Sequence, residues 1–325
     1  MPHAIRVHEP GGTDQLRWEA VDVPPPGAGE ARVRHTAVGL NYIDVYHRTG
    51  LYPLNDRPFG LGVEAAGIVE AVGEGVSRVA AGDRVAYVAV PPGSYSEQRN
   101  VAVNRLVRLP DDIDDRTAAA MMVKGMTAQY LLRRTYRVQN GDTILVHAAA
   151  GGVGLMLCQW ARHLGATVIG TVGSDQKAGI AKDHGCDYPV VYTREDFVER
   201  VREITGGEGV HAVYDSVGKD TFLKGLDCLR RLGMMALFGQ SSGPVEPFNL
   251  GLLAAKGSLF VTRPTVFSYT ATVDELDQTA GELMDVVSKG AVKVEINQTY
   301  DLEDAASAHA DLEARKTTGS SVLMP

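Results

Sequence analysis

The stretch His147-Ala-Ala-Ala-Gly-Gly-Val-Gly154 carries the clearest chemistry in the chain. Small residues at Ala148, Gly151 and Gly154 let a backbone turn tightly and lie close against a ligand. Where a helix follows, such a turn offers unpaired N–H groups and the positive end of the helix dipole to an anion. A dinucleotide pyrophosphate is the anion this arrangement suits. The spacing, Ala-x-x-Gly-x-x-Gly, departs from Gly-x-Gly-x-x-Gly, so the flanking elements must decide between a phosphate turn and a merely tight one. An acid that holds a ribose 2′-hydroxyl ordinarily stands about 20 residues after the turn. Here that region reads Gly173-Ser-Asp-Gln-Lys177. Glycine in place of the acid, with a lysine nearby, suits a 2′-phosphate and therefore NADP. Asp175 opposes this reading, but it lies past the strand end, where it reads as the cap of the next helix.

The elements that must position these residues are legible. An apolar β-type run, Asp142–His147, precedes the turn, and a helix-like run, Leu155–Leu164, follows it and closes at Gly165. A second β-type run, Ala166–Val172, comes next, giving the strand–turn–helix–strand unit that the phosphate reading requires. Strands and helices alternate onward to about residue 262, with central strands expected at Gly209–Gly218 and Leu232–Phe238, which implies a parallel sheet. Residues 1 to about 125 differ in texture. Short apolar runs (Ala4–Val7, Ala31–Val38, Gly67–Val72, Arg84–Ala89, Leu106–Leu109) are divided by Gly and Pro, as in a compact barrel. A helical stretch, Ala118–Val138, links the two regions. The tail reads as helix (Val273–Lys289), strand (Lys293–Tyr300), helix (Leu302–Ala314) and a β-type end (Gly319–Pro325), expected to return to the first domain.

Composition narrows the function. A chain of 325 residues with 44% apolar content fits two globular domains. A net charge of −8 without a basic block disfavours nucleic acid and anionic membrane as partners. No run approaches the roughly 20 apolar residues of a membrane span. The N-terminus reads as a strand rather than a signal peptide, so a cytoplasmic protein is expected. Cys158, Cys186 and Cys228 match no zinc spacing and read as buried free thiols.

These features together resemble the medium-chain dehydrogenase/reductase superfamily, specifically its zinc-free quinone oxidoreductase branch, which includes the NADPH:quinone reductases related to ζ-crystallin. The resemblance spans essentially the whole chain. It rests on Val38-Gly-Leu-Asn-Tyr-Ile-Asp44, Gly50-Leu-Tyr52, Gly60-Leu-Gly-Val-Glu-Ala-Ala-Gly-Ile-Val69 and Ala81-Gly-Asp-Arg-Val85, then on Ala148–Gly154, Tyr214-Asp-Ser-Val-Gly218 and Thr262-Arg-Pro264. It implies an α/β fold with a Rossmann dinucleotide-binding domain plus a discontinuous GroES-like β-barrel domain. The domains would run 1–125 (GroES-like), 126–264 (Rossmann) and 265–325 (the return segment), assembled as a homodimer. Zinc-dependent relatives carry a cysteine where Asn41 stands and a His-Glu pair where Gly62-Val63-Glu64 stands, so no metal site is expected.

The resemblance also implies roles. Asn41, Ile43 and Tyr46 would lie in a loop beside the nicotinamide, with Tyr52 at the mouth of the same cleft. Asn41 and Tyr52 are the catalytic candidates, as hydrogen-bond donors to an acceptor oxygen. Tyr130 would touch the cofactor, whereas Lys124 reads equally well as a surface charge. Gly151, Gly152 and Val153 match the pyrophosphate turn, and Gly173, Ser174, Lys177 and Tyr192 the 2′-phosphate pocket. Ser216, Phe238, Gly239 and Ser241 stand at strand ends, Pro264 and Thr265 near the nicotinamide, and Arg315 near a helix end. The implied activity is NADPH-dependent reduction of a quinone. The alternatives are reduction of an α,β-unsaturated carbonyl and a non-catalytic NADPH- or RNA-binding role like that of ζ-crystallin relatives.

Overall fold

The computed structural model describes residues 1–325, which divide into two compact units. One comprises Gly125–Ala271 with Asp285–Lys293. The other comprises Met1–Lys124 with Thr272–Met284 and Val294–Pro325.

The unit containing Gly125–Ala271 is built on a six-stranded sheet. Its spatial order is Tyr188–Val191, Thr167–Val172, Thr143–Val146, Val210–Asp215, Leu229–Leu237 and Phe260–Thr262. Every pairing is parallel. Numbered along the chain the order is 3-2-1-4-5-6, the doubly wound arrangement whose order reverses between Thr143–Val146 and Val210–Asp215. The strands are near-continuous apolar runs because helices cover both faces of such a sheet. Leu145, Ile169, Val213 and Met235 are wholly buried, packed with Phe197, Val201 and Phe222.

The other unit is organised by the long strand Glu30–Leu40, which pairs antiparallel with Glu64–Val72. Its second edge is shared: Glu30–Arg34 pairs with Gln98–Ala102, and Val38–Leu40 with Leu323–Ser321. Register shifts at Arg32/Val33 and His35/Ala37 mark irregularities that bend the strand. The C-terminal strand Ser320–Met324 therefore completes a sheet begun near the N-terminus, with Ile296–Asp301 added in parallel beside it. Arg84–Val88 and Leu106–Arg108 extend the opposite side. Val33, Val38, Leu61, Tyr87, Leu106, Leu302 and Leu323 share its core.

Three elements differ from the sequence reading. The linking helix is α-helical over Asp115–Tyr130 and then becomes a π-helix at Leu131–Thr135, where the Tyr136 N–H reaches back five residues to the Leu131 carbonyl at 3.2 Å. The helix after the glycine turn begins at Gly152 rather than Leu155, so the glycines form its first turn. The segment expected as a loop around Ile43 and Tyr46 is a helix, Tyr42–Thr49. Asn41 precedes it, the Asp44 carboxylate accepts the Asn41 N–H at 2.9 Å, and Gly50 ends it in the left-handed conformation (φ 79°).

Candidate active site

The turn Ala148–Gly154 leaves the C-terminal end of strand Thr143–Val146, next to the point where the sheet order reverses. Ala148 sits at φ 55°, a left-handed conformation that costs a residue with a Cβ about 1–2 kcal/mol. Its carbonyl accepts the Gly151 N–H at 2.9 Å, and the Ala149 N–H is tied to the Thr171 carbonyl at 3.0 Å. A Cβ at position 154 would stand 2.3 Å from the Ala148 carbonyl oxygen, so only glycine lets helix Gly152–His163 pack this tightly on the turn. Gly151, Gly152 and Val153 remain partly exposed at the helix head, whose first N–H groups have no acceptor within the helix. A glycine-lined helix N-terminus of this kind fits a pyrophosphate.

The next strand, Thr167–Val172, ends at Gly173, and the Tyr192 hydroxyl lies 2.9 Å from where a Cβ at position 173 would stand. Ser174, not Asp175, caps the following helix, its Oγ accepting the Lys177 N–H at 3.3 Å. Asp175 occupies the first turn with its carboxylate held by Arg194. The structure thus gathers Gly173, Ser174 and Tyr192 around one strand end, with Lys177 one helical turn further on.

Ser216, Phe238, Gly239 and Ser241 meet at the ends of the adjacent strands Val210–Asp215 and Leu229–Leu237. The Phe238 N–H donates to the Asp215 carbonyl at 2.8 Å, and the Ser241 N–H to the Ser216 carbonyl at 3.1 Å. The fully buried Asp215 carboxylate fastens this corner by accepting the Val217 and Gly218 N–H groups and the Thr221 hydroxyl. Tyr130 is buried and stacks on Tyr269, centroids 4.5 Å apart and planes 10° apart. Burial, foremost, raises the Tyr130 hydroxyl well above its ordinary pKa, so it is a neutral donor rather than an acid. Pro264 is buried, and Thr265 precedes the short helix Val266–Tyr269. Tyr269 gave no sequence signal, being one tyrosine in an unpatterned stretch.

In the other unit Asn41 is buried, and its Nδ2 donates to Glu64 Oε1 at 2.6 Å. Glu64 is fully buried, and its charge is compensated by Lys124 Nζ at 3.2 Å and the Val123 N–H. Lys124, which also donates to the Leu40 carbonyl, is therefore an interior counter-ion rather than a surface charge. Tyr46 and Tyr52 pack at 5.0 Å, and the Tyr52 N–H donates to the Tyr46 carbonyl at 3.0 Å. Ile43 lies half-buried on the same helix. Arg315, exposed and at φ 58°, follows helix Ala305–Glu313; its charge and those of Glu313 and Arg48 act on the half-buried Tyr42 hydroxyl, whose pKa burial raises.

A buried hydrogen-bonded chain behind this helix escaped the sequence reading. Arg48 donates to Glu313 at 2.8 and 2.9 Å and contacts His309 Nδ1 at 3.3 Å. His309 Nε2 lies 3.1 Å from the Tyr95 hydroxyl, which donates to Asp44 Oδ2 at 3.0 Å. Burial, then Arg48, pushes His309 down to about 3, so it is neutral. With Nδ1 accepting from Arg48, the ring proton sits on Nε2, and the donors from Arg48 through His309 and Tyr95 run toward Asp44, while Arg48 Nη2 donates the other way, to Glu313. Arg48 and Asp44 both stand on helix Tyr42–Thr49, so the chain clamps that helix to Tyr95, His309 and Glu313.

No group of three or more His, Cys, Asp or Glu side chains is arranged to hold a metal ion. Residues 27–138 match the family described as alcohol dehydrogenase GroES-like domain, and residues 152–284 the family described as zinc-binding dehydrogenase. The chain is 52% identical to a quinone oxidoreductase of Pseudomonas aeruginosa, with all of both chains aligned. It is 46% identical to a 2-haloacrylate reductase of a Burkholderia species, over 100% of this chain and 99% of that one. Among solved structures, Escherichia coli quinone oxidoreductase complexed with NADPH superimposes with a TM-score of 0.98 at 48% identity, covering 99% of this chain and 100% of that one.

Proposed function

The chain belongs to the quinone oxidoreductase branch of the medium-chain dehydrogenase/reductase superfamily, and from that premise we propose that it catalyses NADPH-dependent reduction of quinones. The observation that carries the reading is the Ala148–Gly154 turn, which opens helix Gly152–His163 beside the sheet's reversal point. Gly151, Gly152 and Val153 hold the pyrophosphate with backbone N–H groups. Ser174, Lys177 and Tyr192 hold the 2′-phosphate, and Gly173 leaves room for it. Tyr130, Ser216, Phe238, Gly239, Ser241, Pro264 and Thr265 orient the remainder, and Asn41, Ile43, Tyr46 and Arg315 are further cofactor contacts in this reading. When bound, NADPH supplies a hydride. The work of the protein is to fix the acceptor and exclude water. Asn41 and Tyr52 donate hydrogen bonds to the acceptor oxygen, which is enough for a quinone because aromatisation stabilises its reduced form.

The Burkholderia 2-haloacrylate reductase favours a second reading, reduction of an α,β-unsaturated carbonyl. That reaction adds a protonation at carbon, for which Tyr52 is the donor. Initial rates of NADPH oxidation with 1,4-benzoquinone and with 2-alkenals separate the two. The quinone reading predicts the larger kcat/KM for the quinone, and a larger value for the alkenal would reverse the assignment.

The reading extends to a cytoplasmic homodimer. Phe260–Thr262 is an edge strand with one neighbour, and its Phe260 and Val261 side chains are exposed, a surface that a second copy would cover. All three cysteines are free and buried, in keeping with a reducing compartment. Light scattering at micromolar concentration tests the assembly: twice the chain mass supports it, and the single-chain mass refutes it.

A further inference from the structure

An acid stands where the proposed 2′-phosphate pocket would be expected to exclude one. Asp175 follows Ser174 directly and precedes Lys177 by two residues. An unpaired carboxylate there would repel a phosphate dianion and favour the uncharged ribose of NADH. It is not unpaired. Arg194 Nη2 lies 2.6 Å from Asp175 Oδ1, and Arg194 Nη1 donates to Oδ2 at 2.7 Å, a two-point fork that fixes the carboxylate's direction. The Arg194 hydrogen bonds hold the Asp175 carboxyl below its ordinary range, so it is fully ionised and matched by a full positive charge. Arg194 stands two residues beyond Tyr192, whose hydroxyl overhangs Gly173. The pair therefore joins the two segments that supply the pocket. Glu195, the next acid, accepts the Val191 N–H and pairs with Arg200 at 3.2 Å, and it meets Arg194 Nε only at a looser 4.0 Å.

We propose that Arg194 is a specificity-determining residue that neutralises Asp175 and so allows a 2′-phosphate to be held by Ser174, Lys177 and Tyr192. The inference rests on the NADPH reading above. The charges of Asp175, Lys177 and Arg194 sum to +1. Without Arg194 they sum to zero, and the carboxylate is free to turn toward the phosphate. The effect is confined to the phosphate-bearing cofactor, because NADH presents no dianion at that position.

The test is an equilibrium titration of NADPH and of NADH, followed by nicotinamide fluorescence, on wild type, Arg194→Ala, Asp175→Asn and the double variant. Arg194→Ala is expected to weaken NADPH about tenfold, or about 1.4 kcal/mol, while NADH changes less than twofold. In the Asp175→Asn background, removing Arg194 is expected to cost NADPH less than twofold. Retained NADH affinity shows that each variant is folded. An unchanged NADPH constant in Arg194→Ala overturns the proposal. So does an equal loss with and without the Asp175 carboxylate, which would make Arg194 a direct phosphate ligand. Wild type that binds the two cofactors equally would instead overturn the NADPH reading itself.

Discussion

At the scale of single residues, cofactor preference and turnover separate cleanly. Lys177 is proposed to give the 2′-phosphate a charge-assisted hydrogen bond, worth about 1.5–3 kcal/mol. Lys177→Ala is expected to weaken NADPH by about 10- to 100-fold and to leave NADH nearly unchanged; equal losses for both cofactors in the same titration would remove Lys177 from the pocket. Asn41 is harder to isolate. Its Nδ2 is one of the donors to the buried Glu64 carboxylate, so its loss is expected to act on the fold as well as on the proposed contact with the acceptor. Asn41→Ala is expected to lower kcat about tenfold, equivalent to about 1.4 kcal/mol of transition-state stabilisation, and to lower unfolding stability by about 1–3 kcal/mol. Steady-state kinetics beside urea unfolding check the two. Reduced stability with unchanged kcat on several quinones would make Asn41 a support for Glu64 alone. The sequence motifs placed Asn41 and Lys177 as candidates, but not their partners. Lys124 looked equally like a surface lysine because its counter-ion Glu64 is 60 residues away in the chain.

At the scale of elements, the helix Tyr42–Thr49 depends on a carboxyl that is wholly buried. The donors from Asn41 and Tyr95 both converge on Asp44 Oδ2, and Oδ1 is buried without a partner. Burial, foremost, with a contribution from Glu64, raises Asp44 to about 7, against the hydrogen bonds from Asn41 and Tyr95 and the charge of Lys124. Its unfolded value is near 3.9. The folded state therefore keeps a proton that the unfolded chain loses between these values. The stability that Asp44 contributes is complete below about pH 4 and is lost as pH rises through about 7. Asp44→Asn, neutral throughout, is expected to gain stability relative to wild type as pH is raised from 5 to 8, by a few kcal/mol at about 1.4 kcal/mol per pKa unit. Urea unfolding at several pH values measures the difference, and a pH-independent difference would contradict a titrating Asp44. This helix was the element least legible in the sequence. Its signals are local and small: an asparagine, an acid three residues on, and a glycine at position 50. By contrast, the strand–turn–helix–strand unit around residue 150 was readable because apolar runs and glycines punctuate it at once. The π-helical end of the linking helix follows from a backbone bond to Leu131 that no residue type encodes.

At the scale of the whole molecule, the parallel order 3-2-1-4-5-6 and the shared edge of Glu30–Leu40 follow patterns that alternation of apolar runs makes visible. The clamp from Arg48 through His309 and Tyr95 to Asp44 was invisible, because it unites residues 44 to 313 only after the C-terminal segment has returned to its sheet. The side-chain inventory bears on metal content too. One of the matching families is described by zinc binding, yet no suitable cluster of ligands exists in this chain. Protein purified without chelator is expected to carry well below one zinc per chain by elemental analysis, and a reproducible single zinc would refute that. The central claim, NADPH-dependent quinone reduction, is tested most directly by following NADPH and NADH absorbance in the presence of 1,4-benzoquinone and the purified protein. The account predicts one NADPH oxidised per quinone reduced, with kcat/KM for NADPH at least about tenfold above that for NADH, the ratio one charge-assisted phosphate contact supplies. No protein-dependent oxidation of NADPH, or an equal or greater kcat/KM with NADH, would contradict it.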